Sequence, residues 1–95
     1  MTKTRIYRIW IGMRRRCYDP SLQNYRYYGG AGVRVCEEWQ QPETFFSWAF
    51  RNGYRDDLQI DRIDPYGHYE PSNCRWVTPK ENANNRRMHA ARSPL

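Results

Sequence analysis

Apolar residues recur at helical spacing near the start of the chain. Ile6, Ile9, Trp10 and Met13 follow i, i+3, i+4, i+7, and Cys17 extends the stripe. The pattern predicts an amphipathic helix over residues 4–16, with Arg5, Arg8, Arg15 and Arg16 mostly on its outer faces. Asp19-Pro20 stops it. Residues 18–32 lose the period and read as a loop of Tyr25, Tyr27, Tyr28 and a glycine cluster, in which a tight turn is expected. Val33-Arg34-Val35 alternates as a short strand does.

The helical period returns from Pro42, a favoured first helical position, and runs to Asn52. Phe45, Phe46, Ala49 and Phe50 give this helix an apolar face for the core, and Gly53 sits where a C-terminal glycine belongs. At Leu58 the period shortens to two. Leu58, Ile60 and Arg62 then point one way, and Gln59, Asp61 and Ile63 the other. Pro65, Gly67 and Pro71 mark a turn-rich loop, and residues 74–77 form a return strand. Thr78-Pro79-Lys80-Glu81 is a capping box with proline at the first helical position, a specific start signal for a helix to about Ala90. The tail with Ser93-Pro94 is expected to fray.

These elements predict one small α+β domain over residues 1–95. Residues 4–52 would contribute the helices and the Tyr/Gly loop, packed on a hairpin-plus-helix unit over 53–90. Ninety-five residues support a single modest core, and four tryptophans and eight tyrosines fill a small core with few side chains.

Charge sharpens the picture. The net charge is +6. Residues 1–35 carry eight Lys/Arg against Asp19 alone, 36–70 three against eight acids, and 71–95 five against Glu81. Basic ends around an acidic middle suit a polyanionic partner, double-stranded DNA first, although such runs also occur as plain solvated faces. Arg14, Arg15 and Arg16, Arg26 in the Tyr-rich loop, and Arg75, Lys80, Arg86 and Arg87 are the candidate phosphate contacts. They would give salt-dependent affinity and little sequence information. Tyr25, Tyr27 and Tyr28 could stack on bases or pack. The sequence has no apolar run long enough to span a bilayer and no signal-peptide pattern, so a cytoplasmic, DNA-associated protein is expected. Three cysteines at wide spacing fit a reducing compartment. Cys17, Cys36 and Cys74 with His68 could compose a zinc site but lack a paired spacing, so small buried apolar residues is the better reading.

One constellation carries chemistry. Asp61 near the end of one strand and Asn82 on the first turn of the following helix offer a carboxylate and an amide oxygen, a sufficient pair for Mg²⁺ or Mn²⁺ that keeps its waters. Such a cation can stabilise charge developing on a phosphodiester. Without a cation, Asp61 would cap a turn and Asn82 would cap or solvate the helix.

Residues 53–85, from Gly-Tyr-Arg-Asp-Asp-Leu-Gln-Ile-Asp-Arg-Ile-Asp to Ser-Asn-Cys-Arg-Trp-Val-Thr-Pro-Lys-Glu-Asn-Ala-Asn-Asn, resemble the HNH (ββα-metal) motif of phage intron homing endonucleases. The rest of the chain is loosely similar to short phage and prophage reading frames related to them. The run Arg-Trp-Val-Thr-x-Lys-x-Asn is the most specific part. The resemblance implies Asp61 as first metal ligand, Asn82 as second, and Asn73 as the residue that stabilises the hairpin loop. It also implies a general-base histidine at position 62, where this chain has Arg62. An arginine stays protonated and cannot take a proton from water, but it can clamp a phosphate or its transition-state charge. Three outcomes follow: slow cleavage without a protein base, another base such as His68, or a scaffold that only binds. His89, farther along the last helix, is a weaker base candidate, and an ordinary exposed loop histidine is the better reading of His68. The binding-only form would act as a regulator, or as an inhibitor of host DNA-associated machinery through a host protein.

Overall fold

The structure, a computed structural model, describes residues 4–83. Helix α1 (Arg5–Tyr18) opens at Thr4, whose hydroxyl accepts the Tyr7 N–H at 3.3 Å. It buries Ile6, Met13 and Cys17, the stripe its spacing predicts, with Ile9 and Trp10 partly covered. Two 3₁₀ turns, Tyr25–Tyr27 and Gly29–Ala31, then bring the Tyr/Gly loop back against α1. Gly29 is where that approach is closest. A Cβ there would lie 2.0 Å from the Cys17 carbonyl oxygen, so only glycine fits.

Val33 and Val35 are both buried, but the predicted strand reduces to one bridge between Val35 and Tyr69. Tyr69 N–H donates to the Arg34 carbonyl and Cys36 N–H to the Tyr69 carbonyl, both at 2.9 Å. The ladder stops there because the partner segment runs into Pro71, which lacks an N–H and opens the 3₁₀ turn Pro71–Asn73.

Helix α2 (Pro42–Arg51) starts on its proline and is followed by Gly53 at φ 89°. It buries Phe45 and Ala49, while Phe46 and Trp48 pack on the core edge. Phe50, expected on the core face, is instead 61% exposed. One residue past Ala49 it is turned about 100° away from the buried stripe, and its ring meets the Tyr54 ring edge-on at 5.7 Å. Trp39, Phe45, Trp48 and Trp76 form a chain of ring contacts through the centre, and Trp10 Nε1 donates to the Trp39 carbonyl at 2.8 Å.

Strands β1 (Gln59–Arg62) and β2 (Cys74–Val77) form a two-stranded antiparallel sheet, with Asp61 opposite Arg75 and Arg62 opposite Cys74. Residues 79–83 are helical after the capping box. Thr78 N–H donates to Glu81 Oε1 at 2.8 Å and Glu81 N–H to Thr78 Oγ1 at 3.1 Å. One core cluster joins α1, α2, the Val33–Val35 segment, Tyr69 and Cys74 into a small α+β domain. No helix among the described residues is long and apolar enough to cross a membrane.

Candidate functional site

A cavity of about 770 Å³ opens between α1, the Tyr/Gly loop and β1. Asp61, Arg62 and Asn82 all line it. From α1 come Arg5, Arg8, Gly12 and Arg16. Their spacing of three, four and four residues puts them on one face of a helix, because each residue advances about 100°. The consecutive Arg14, Arg15 and Arg16 therefore fan out over three directions, and only Arg16 enters the cleft. Arg14 is held outside it between the rings of Trp10 and Tyr18 (5.3 Å each), with Gln40 Oε1 accepting from its guanidinium. Arg15 pairs with Asp19 in the i, i+4 position at 3.4 Å. The i, i+3, i+7, i+11 pattern of Arg5, Arg8, Gly12 and Arg16 was present in the sequence as the signal for this face. It is masked by the more conspicuous run of three arginines.

The cleft is lined by four arginines and one carboxylate. The ion pairs within 4 Å among the described residues are Arg15–Asp19, Arg55–Asp57 and Arg75–Asp61, and none includes Arg5, Arg8, Arg16 or Arg62. Arg5 is tethered at the rim, donating to the Tyr54 hydroxyl at 3.1 Å and to the Leu58 carbonyl at 2.6 Å.

Asp61 is 9% exposed, and its Oδ2 accepts from Arg75 Nε at 3.1 Å across the sheet. Asn82, 8% exposed, donates from Nδ2 to Gln59 Oε1 at 2.7 Å. That bond engages the amide nitrogen. Gln59, overlooked in the sequence, thus fixes the amide. The predicted split of β1 into two faces is blurred, because Gln59, Ile60, Asp61 and Arg62 all reach the cleft. A two-stranded sheet leaves little on either side of its strands to separate core from solvent.

Arg62 donates from Nη1 to the Gly67 carbonyl at 2.9 Å, with its guanidinium 5.0 Å from the Tyr28 ring centroid and 5.1 Å from that of Tyr69. The loop that supplies this carbonyl is stapled by Asn73. Asn73 Oδ1 accepts the Asp64 N–H at 2.8 Å, and Nδ2 donates to the carbonyls of Asp64 and His68 at 3.0 Å each. These three bonds tie the two ends of the loop together. His68 points elsewhere: Nδ1 accepts the Arg34 N–H at 2.9 Å, and it does not line the cleft. Arg26 is exposed and stacks on Tyr27, which lines the cleft. Lys80 is exposed on the capping turn. Arg86, Arg87 and His89 lie outside the described residues.

Burial pushes the Cys74 thiol up to about 12 and raises Cys17 and Cys36 as well. All three are neutral at physiological pH and behave as small apolar groups. Cys17, Cys36, Cys74 and His68 do not gather into a metal-holding group.

Comparison with protein-family models, with curated proteins and with solved structures gives no match for this chain.

Proposed function

We propose that this protein binds double-stranded DNA, drawing the sugar–phosphate backbone into the cleft between α1 and β1. The observation that carries the reading is the charge of that cleft: Arg5, Arg8, Arg16 and Arg62 against Asp61. Four like charges gathered around one carboxylate repel one another, and a polyanion relieves the repulsion while releasing its own counterions. The test is DNA affinity measured against salt. Affinity should fall steeply between about 50 and 200 mM salt, and the Arg5→Gln/Arg8→Gln double variant should flatten the slope. Affinity that ignores salt, or a slope unchanged in that variant, would sink the proposal.

A second reading, divalent-metal-dependent strand cleavage, is favoured by the meeting of Asp61 and Asn82 at the same cleft. Both side chains carry the hard oxygen type that Mg²⁺ or Mn²⁺ takes, although a cation would have to compete with Arg75 for the Asp61 carboxylate. When bound, the cation would stabilise charge on the phosphate and the leaving oxygen. Four arginines oppose a free cation, so the residues fit a metal only when a phosphate brings compensating negative charge. Arg62, always protonated, would then orient phosphate and not serve as base. Supercoiled-plasmid nicking with Mg²⁺ or Mn²⁺, compared between wild type, Asp61→Ala and Arg62→His, decides this reading. Activity lost in Asp61→Ala and raised in Arg62→His supports it. A chain that binds but never nicks, even as Arg62→His, is a binder only, of the kind that regulates or obstructs DNA-associated machinery.

A further inference from the structure

Arg16 and Arg62 come from elements far apart in the chain, yet they share the same two tyrosines. The Arg16 guanidinium lies 5.6 Å from the Tyr28 ring centroid and 5.8 Å from that of Tyr69. Arg62 lies 5.0 and 5.1 Å from the same two rings. Each guanidinium is also oriented by one hydrogen bond, Arg16 Nε to the Tyr69 hydroxyl at 3.1 Å and Arg62 Nη1 to the Gly67 carbonyl at 2.9 Å. Tyr69, only 4% exposed, is fixed by the Val35 bridge, so its hydroxyl is a buried anchor. Both arginines face the cleft, and neither is in an ion pair among the described residues.

Two guanidiniums gathered about the same pair of rings repel one another, and the tyrosine faces offset part of that cost. Each guanidinium makes one hydrogen bond among the described residues, which leaves most of its N–H donors for phosphate oxygens. The geometry points to a preformed two-arginine seat for one phosphate group, made by Arg16 and Arg62 and buttressed by Tyr28 and Tyr69. It rests on the DNA-binding reading and adds to it that these two arginines act on the same phosphate. That phosphate is either an internal phosphodiester or a terminal phosphomonoester.

Two measurements test the seat. In the first, the arginine Nε–Hε resonances of the wild-type chain are followed during titration with inorganic phosphate, with chloride at matched ionic strength as control. Arg16 and Arg62 should shift together and saturably, and Arg55, which is paired with Asp57, should not. No shift, or equal shifts across all arginines, overturns the seat even if DNA binding holds. If DNA binding fails while these two resonances still shift, the seat stands and the DNA reading falls.

In the second, duplex affinity is measured for Arg16→Gln, Arg62→Gln and the double variant, with thermal melting to verify folding. Loss of a charged hydrogen-bonding partner should weaken binding about tenfold in each single variant. The double variant should lie within about threefold of the weaker single, because removing either partner already breaks a shared contact. The slope of log affinity against log salt should fall by about 0.9, one phosphate, in all three. Additive losses near a hundredfold, with the slope falling by about twice that amount, mean two separate phosphates and overturn the seat. Comparing duplexes with and without a 5′-phosphate identifies the source. A requirement for the end group indicates a terminal phosphate, equal binding indicates an internal one, and both support the seat.

Discussion

Replacing Asn73 with alanine should destabilise the protein and loosen the cleft together. The amide makes three hydrogen bonds, one accepted from Asp64 N–H and two donated to the carbonyls of Asp64 and His68. Each such bond contributes about 0.5–1.5 kcal/mol net. Asn73 is half-buried, so water replaces part of what is lost. A loss of about 2 kcal/mol follows, or a fall in Tm of about 8–16 °C for a domain of this size. Asn73→Asp should be worse than alanine. It keeps the acceptor for Asp64 N–H but sets a carboxylate oxygen against two carbonyl oxygens. Gly67 closes over the same amide, where a Cβ would approach Asn73 Nδ2 to 2.7 Å, so Gly67→Ala should share the defect. Urea denaturation of wild type and the three variants gives the free energies. An alanine loss below about 0.5 kcal/mol, or an aspartate variant more stable than the alanine one, would refute the staple. Because the loop also supplies the carbonyl that orients Arg62, Asn73→Ala should weaken DNA binding on the proposed reading.

Three further outcomes are expected. Stability should fall as pH rises above 9: the unfolded chain ionises its thiols near 9, whereas the folded chain keeps Cys74 protonated to about 12 and raises Cys17 and Cys36 too, so the unfolded state binds fewer protons and gains; Cys74→Ala should reduce that alkaline slope in denaturant melts at pH 8, 9 and 10. Gly12→Ala should raise Tm, since the glycine costs an interior helical position about 1 kcal/mol and a Cβ there meets only Arg16 Nη1 at an ordinary 3.5 Å. Trp76→Phe should cost less than the 3–5 kcal/mol typical of truncating a large core aromatic to alanine, because the indole N–H is buried with no hydrogen-bond partner among the described residues and its removal relieves that penalty; equal losses for phenylalanine and alanine at this position would contradict it.

The parts of the fold that were legible are those fixed by local rules. The α1 stripe of Ile6, Met13 and Cys17, the proline start of α2, the return strand and the Thr78/Glu81 capping box each depend on residues within one or two turns of one another. The three bonds of Asn73 are also local, spanning at most nine residues. What escaped depends on distant partners. Nothing near Arg16 in the sequence indicates that its hydroxyl acceptor is Tyr69, 53 residues away. Phe50 and the Val33–Val35 segment failed for a related reason. Helical or alternating spacing says which residues share a face, but the width of the neighbouring surface decides how much of that face is covered. Adjacency in sequence is separation on a helix, so of the arginine run only Arg16 lines the cleft. The face that faces the cleft was written in steps of three and four.

The ring chain through the core has a spectroscopic consequence. Trp39 and Trp48 are 4.7 Å apart between ring centroids, and Trp48 and Trp76 5.8 Å. Excitation absorbed by any one of the three passes readily to the others, so their emission behaves as one chromophore that separates when the core opens. None of the four tryptophans lines the cleft, whose aromatic side chains are Tyr27, Tyr28 and Tyr69. The protein therefore carries an intrinsic fluorescence reporter of folding whose rings stand outside the cleft lining.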